Sequence, residues 1–180
     1  MDPTDLRKKL FRAANAPAPP PDQLVVPGES EDNDCTPVSW EPYFDERQVV
    51  SVAGTLNRFV VYTSLRSNGP LFVFHHGAGH GALAFALVAQ LIRQRYPDEI
   101  SLVAYDCRGH GDTETENDGD LSLTTLAQDF QSVIRAVYQE TPLPDTFLIG
   151  HSMGGAVITQ VAYHNMIKPI AGLVVIDIVE

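Results

Sequence analysis

Phe147-Leu148-Ile149-Gly150-His151-Ser152-Met153-Gly154-Gly155 joins a short apolar run to a segment of helical character. The run is apolar and ends in glycine, so it reads as a buried strand feeding a sharp turn. Gly150, Ser152 and Gly154 fit the G-x-S-x-G nucleophile elbow, in which a serine occupies a strained strand-to-helix turn and the glycines allow close packing. Ser152 then stands exposed at the end of a sheet. The helix starting near Met153 points free backbone N–H groups at the site, where they can stabilise a developing oxyanion. A glycine-rich turn carrying an ordinary serine shares the pattern, so the surrounding chain has to decide.

Working outward, strands and helices alternate. Residues 47–52 and 58–62 are β-prone and separated by Gly54 and Asn57, which suggests an antiparallel pair at a sheet edge. Residues 71–74 are all apolar, as in a strand buried on both faces. After His75-His76-Gly77-Ala78-Gly79-His80-Gly81, residues 82–95 read as a helix with Leu83, Leu87, Val88, Leu91 and Ile92 at helical spacing. Residues 100–104 return as a strand leading to Asp106-Cys107-Arg108-Gly109-His110-Gly111. Ser122 is placed to cap a helix whose apolar face is Leu126, Phe130, Val133, Ile134 and Val137. The helix after the elbow runs to about Asn165, and Leu173 begins a last apolar strand that ends at Asp177. Such alternation implies a mostly parallel α/β sheet, with ligands outside the carboxyl ends of its strands.

Upstream the character changes. Residues 15–37 are rich in Pro, Asp, Glu and Ser, and a possible helix at 5–11 is too short to be stable alone, so residues 1–36 read as a disordered tail. Packing is expected to begin at Trp40, Tyr43 and Phe44, making residues 37–180 the folded domain. The 180-residue chain carries 23 acidic against 12 basic residues, a formal charge of −11, which disfavours nucleic acid and anionic membranes as partners. The acidic runs at 29–34 and 112–120 lack calcium-loop spacing and read as solvated loops, so no metal or other cofactor is expected. Two cysteines, Cys35 and Cys107, do not make a disulfide framework. With no signal-peptide core and no long apolar run, the expected location is cytoplasmic or nuclear.

Two further features converge on Ser152. The Gly77-Ala78-Gly79 turn follows the central apolar strand, where elbow-bearing folds place the second oxyanion donor. The Ala78 N–H is the first choice there and Gly79 the next, with the Met153 N–H as the other donor. Asp177 ends the strand after the nucleophile helix, where a carboxylate can orient a histidine as the acid of a Ser-His-Asp triad. Asp106 and Arg108 read as residues that tie loops together.

These residues line up with a known family. Pro37-Val38-Ser39-Trp40-Glu41-Pro42-Tyr43-Phe44, His76-Gly77-Ala78-Gly79-His80, the elbow, and Ile176-Asp177-Ile178-Val179-Glu180 together resemble the protein phosphatase methylesterases, of the α/β-hydrolase superfamily. The resemblance spans residues 36–180 and implies an α/β-hydrolase fold, with Ser152 as nucleophile and Asp177 as triad acid. It also implies a substrate, the methyl ester on the C-terminal leucine of the type 2A protein phosphatase catalytic subunit. Ala78 departs from the glycine usual in the oxyanion turn, a change compatible with a negative φ. A dehalogenase or epoxide hydrolase would need a carboxylate in place of Ser152.

The triad histidine is expected last in chain order, and the six present are His75, His76, His80, His110, His151 and His164. By strand alternation His151 should point away from the nucleophile, and His75, His76 and His80 belong to the oxyanion loop. The chain therefore reads as the N-terminal portion of a longer enzyme, truncated after the strand that follows the nucleophile helix, with the last strand an uncovered edge. The alternatives are a general small-ester hydrolase of the same fold and a noncatalytic phosphatase-binding fragment. Were a base present within the chain, His80 and His110 would be the first to mutate.

Overall fold

The computed structural model describes residues 39–139 and 141–177. The readings of the tail, of Cys35, of the acidic run at 29–34 and of the last three residues lie outside that range. The chain begins to pack where the aromatic residues start. Tyr43 and Phe44 are buried, and Trp40 and Phe44 both lean on Tyr62.

Six strands form one sheet: β1 (Glu46–Ser51), β2 (Arg58–Ser64), β3 (Leu71–His75), β4 (Ser101–Tyr105), β5 (Thr146–His151) and β6 (Ile170–Ile176). Their spatial order is β1-β2-β4-β3-β5-β6. The β1–β2 and β2–β4 pairs are antiparallel, and β3 pairs in parallel with both β4 and β5, as β5 does with β6. The chain thus moves from β3 to one side, then crosses to the other. Such reversals open a crevice at the carboxyl ends of the strands.

Strand alternation distributes the core onto two faces. Leu71, Val73, Val103, Tyr105 and Leu148 pack on one side with α2 (Leu123–Tyr138) and α3 (Met153–Tyr163). Phe74, Leu102, Ala104 and Ile149 pack on the other with α1 (Ala86–Arg95) and the 3-10 turn before it, Ala82–Phe85. The strand expected at 71–74 is therefore covered on both faces, which is why it carries no polar alternation.

The helix ends follow from local chemistry. Ser122 caps α2, its hydroxyl accepting from the Thr125 N–H at 3.4 Å, and Leu126, Phe130, Val133 and Ile134 are buried beneath it. Asp120 supports that cap by accepting from the Ser122 N–H and the Thr125 hydroxyl. The acidic residues before it serve the loop: Asp112 pairs with Arg47 at 2.8 Å and Glu114 with Arg58 at 3.2 Å.

One expected face is corrected. The stripe expected in 82–95 is split: Leu83 and Ile92 pack against the core on this face together with Ala82, Phe85, Ala86 and Ala89, while Leu87, Val88 and Leu91 stay about half exposed. Small alanines let the helix approach closely, and Phe85 fills the remaining space against Phe74, ring centres 4.9 Å apart. Spacing alone could not separate two stripes that share a helical period.

Strand β6 lies at the sheet edge, and Leu173, Val174, Val175 and Ile176 are each 41–46% exposed. No helix among the described residues is long and apolar enough to cross a membrane.

Candidate active site

Four loops meet at the carboxyl ends of β3, β4, β5 and β6: residues 76–81, 106–111, the turn at Ser152, and Asp177. Ser152 has φ 50° and ψ −120°, a left-handed conformation that a non-glycine residue adopts only when its surroundings enforce it. They do so here. Its N–H donates to the Ile176 carbonyl at 2.9 Å and its carbonyl accepts from the Gly155 N–H at 2.8 Å, so β6 and α3 fix the turn from both sides.

Close approach explains the glycines. A Cβ on Gly154 would lie 2.1 Å from the His75 carbonyl oxygen, and one on Gly77 would lie 3.1 Å from the Ser152 Cβ. Helix α3 therefore presses directly on the end of β3, and the turn after β3 presses on the serine. Met153 opens α3, so its N–H has no acceptor within the helix. Ala78 is exposed and has a negative φ, since the left-handed residues of this turn are confined to Gly79 at φ 73°. The alanine that departs from the family pattern is thus unstrained.

The Gly79 N–H is already engaged, donating to His110 Nε2 at 2.9 Å. His110 Nδ1 lies 2.8 Å from the Arg108 carbonyl, which can only accept, so Nδ1 carries the proton and Nε2 the lone pair. The same logic fixes His76: Nδ1 donates to the Gly77 carbonyl at 2.8 Å and Nε2 accepts from the Cys107 N–H at 3.0 Å. Burial pushes His76 down to about 4 and His75 to about 3, so both stay neutral. Burial also pushes the Cys107 thiol up to about 12. His76, Cys107 and His110 hold their ligand atoms within 4.8 Å of one another, but a metal would have to displace N–H donors from both imidazoles and a proton from the thiol. They form a hydrogen-bonded brace.

Asp106 and Arg108 tie loops. Asp106 Oδ1 accepts from the Ala82 N–H at 2.7 Å, and burial raises its carboxyl more than that bond lowers it. Arg108 forks onto Asp129 and reaches the Thr115 hydroxyl and the Asn117 carbonyl.

Asp177 stands at the end of β6 with φ 51° and a side chain 78% exposed. Its carboxylate lies 3.8 Å from His151 Nε2, and the His151 ring stacks on His80 with centres 5.2 Å apart. Sequence reasoning set His151 apart from the site, whereas the fold puts its ring beside Gly77, where a Cβ would approach His151 Nδ1 to 2.9 Å. The sharp turn at Ser152 ends the strand, so simple alternation stops being a guide one residue before it. His110 was likewise not read as a partner of the oxyanion turn; only its place in a loop one strand away pointed there.

The chain matches known proteins along this same framework. It is 41% identical over 155 residues to protein phosphatase methylesterase 1 of Mus musculus, covering 85% of this chain and 39% of that protein. It is 34% identical over 171 residues to a probable protein phosphatase methylesterase 1 of Dictyostelium discoideum, covering 83% of this chain and 53% of the relative. The chain thus spans about 39–53% of the length of these relatives. Among solved structures, the thioesterase domain from the curacin biosynthetic pathway superposes with a TM-score of 0.60 at 25% identity, over 74% of this chain and 46% of that one. An epoxide hydrolase from Vigna radiata gives 0.59 at 24% identity, over 76% and 40%, and shares the fold. The profile of the Alpha/beta hydrolase family matches residues 72–179, from the central strand through the elbow to the strand bearing Asp177, and the chain belongs to that family.

Proposed function

We propose that these residues are the nucleophile-bearing part of a serine carboxylesterase that removes the methyl ester from the C-terminal leucine of the type 2A protein phosphatase catalytic subunit. The observation that carries the reading is the strained turn at Ser152, set against the Gly77-Ala78 turn and followed one strand later by Asp177. The methylesterase relatives supply the substrate class.

In this scheme the Ser152 hydroxyl attacks the ester carbonyl and gives its proton to a histidine oriented by Asp177. The Met153 and Ala78 N–H groups hold the negative oxygen of the tetrahedral intermediate. Methanol leaves with the proton, water then attacks the acyl-enzyme, and the free leucine carboxylate is released. His151 Nε2 lies 3.8 Å from Asp177 with His80 stacked on its ring, but the hydrolase chain order, in which the base follows the acid, assigns the histidine to a segment outside residues 39–177. His76 and His110 have both ring nitrogens committed, and His75 is wholly buried. His164 sits at the far end of α3, about 18 Å along the helix axis from Ser152.

The test is Ser152→Ala in the full-length protein, assayed on a methylated peptide from the phosphatase C-terminus. Turnover should fall at least about 1000-fold while phosphatase binding persists. Near-normal turnover would remove Ser152 as nucleophile. Equal turnover of short methyl esters by the unaltered enzyme would favour a general small-ester hydrolase instead.

A further inference from the structure

We infer that His110 is a positioning residue for the oxyanion turn: its Nε2 lone pair holds the Gly79 N–H and so fixes the direction in which Ala78 presents its own N–H. The inference rests on the esterase reading above. It adds a residue from a different loop to that site.

Three hydrogen bonds pin the segment after β3 to the loop after β4. The Cys107 N–H donates to His76 Nε2 at 3.0 Å, the Gly79 N–H to His110 Nε2 at 2.9 Å, and the Ala82 N–H to Asp106 Oδ1 at 2.7 Å. The outer two hold the ends of the segment. Only the His110 bond reaches its apex. At the base of the turn the Gly77 carbonyl accepts from the His80 N–H at 3.2 Å and from His76 Nδ1 at 2.8 Å.

An apex of this kind needs an external hold. Gly79 has φ 73°, carries no side chain, and has nothing within 4 Å of where a Cβ would stand, so its N–H is fixed by the bond to His110 rather than by a side chain of its own. Rotation of the Ala78–Gly79 peptide changes ψ of Ala78, so the Gly77–Ala78 plane, which carries the proposed oxyanion donor, is then held only from its Gly77 carbonyl side. His110 itself is well anchored. Its Nδ1–H donates to the Arg108 carbonyl at 2.8 Å, lies 3.2 Å from Cys107 Sγ, and the ring meets His76 edge-on with centres 5.0 Å apart. Arg108 is in turn clamped to Asp129, so the support runs from α2 to the oxyanion turn.

The Gly79 N–H is occupied, so Ala78 is the one residue of the Ala78-Gly79 pair free to meet the oxyanion.

The experiment combines a spectroscopic and a kinetic arm. In the 15N-labelled full-length protein, long-range imidazole spectra should show His110 protonated at Nδ1 and bare at Nε2. Protonated Nε2 in the unaltered chain overturns the inference without any variant. In His110→Ala, hydrogen exchange at Gly79 should rise at least about tenfold, the effect of losing roughly 1.4 kcal/mol of local protection. In the full-length enzyme the same change should lower kcat about 10- to 100-fold with KM within about twofold, because donor direction matters only as the oxyanion forms. His110→Gln puts a carbonyl oxygen as many bonds from Cβ as Nε2 and should restore most of both effects. Unchanged Gly79 exchange in His110→Ala, unchanged kcat, or a glutamine variant as impaired as alanine would overturn it. If Ser152→Ala stays active, the esterase reading falls alone, since tautomer and exchange still report on the brace.

Discussion

Arg108 grips Asp129 at two points, Nε to Oδ2 at 2.8 Å and a terminal nitrogen to Oδ1 at 2.9 Å, with side chains only 7% and 8% exposed. The pair joins the loop after β4 to α2, on the side of the sheet opposite α1. Burial pushes the Asp129 carboxyl upward and the guanidinium pulls it back, so each charge depends on the other. Asp129→Ala should therefore cost about 3–5 kcal/mol of unfolding free energy. A double change, Arg108→Met with Asp129→Leu, should recover most of it by removing both charges together. Urea titrations decide: a single variant within about 0.5 kcal/mol of the parent would mean that the pair is solvated after all.

Acid should weaken the fold through His75 and His76. Their folded values, about 3 and about 4, lie below the ordinary 6.5, so between pH 6.5 and pH 4 the unfolded chain binds protons that the folded chain refuses. Stability is therefore full above pH 6.5 and falls as the pH drops. By pH 5 each histidine should remove about 2 kcal/mol. His75→Phe, filling the space between Tyr105 and Phe130, should flatten part of that slope in denaturant midpoints measured from pH 7 to pH 5. An unchanged slope would point to other groups.

Gly154→Ala tests the elbow as packing rather than as chemistry. The new methyl group would meet backbone oxygens of His75 and His76, at 2.1 and 2.7 Å, which cannot move aside as a side chain could. The expected loss is about 2 kcal/mol or more, with the Ser152 turn displaced. Ala156→Gly, exposed on the same helix, should cost only about 1 kcal/mol and serves as the comparison in thermal melts. Equal losses would show that helix propensity, not the contact with β3, sets the effect.

Cys107 should be chemically silent. It is buried, and its thiol is pushed up to about 12, so almost no thiolate forms at neutral pH. In a Cys35→Ser background, a thiol-disulfide reagent should modify Cys107 only as fast as the fold opens, and at once in denaturant. Rapid labelling of the native chain would contradict both the burial and the brace built around it.

The mostly parallel sheet with its antiparallel edge pair, the buried central strand, the cap at Ser122 and the elbow at Ser152 were all legible in the sequence. Each rests on local chemistry, apolar periodicity, a capping hydroxyl or a glycine spacing, that needs no knowledge of distant neighbours. What only the tertiary structure decided is which of two helical stripes faces the sheet and which backbone donors are free. Leu87 and Leu91 lost their expected contact to Ala86 and Ala89 because closeness of approach, not hydrophobicity alone, chose the face. His110 reaches Gly79 across 31 positions of sequence, and His151 turns toward Asp177, because the reversal of strand order around β3 brings the ends of β3, β4, β5 and β6 together. Contacts made by long-range folding leave no periodic trace in the chain, so the sequence pointed to Ser152 and Asp177 as candidates, while the bond from the Gly79 N–H to His110 is visible only in the fold.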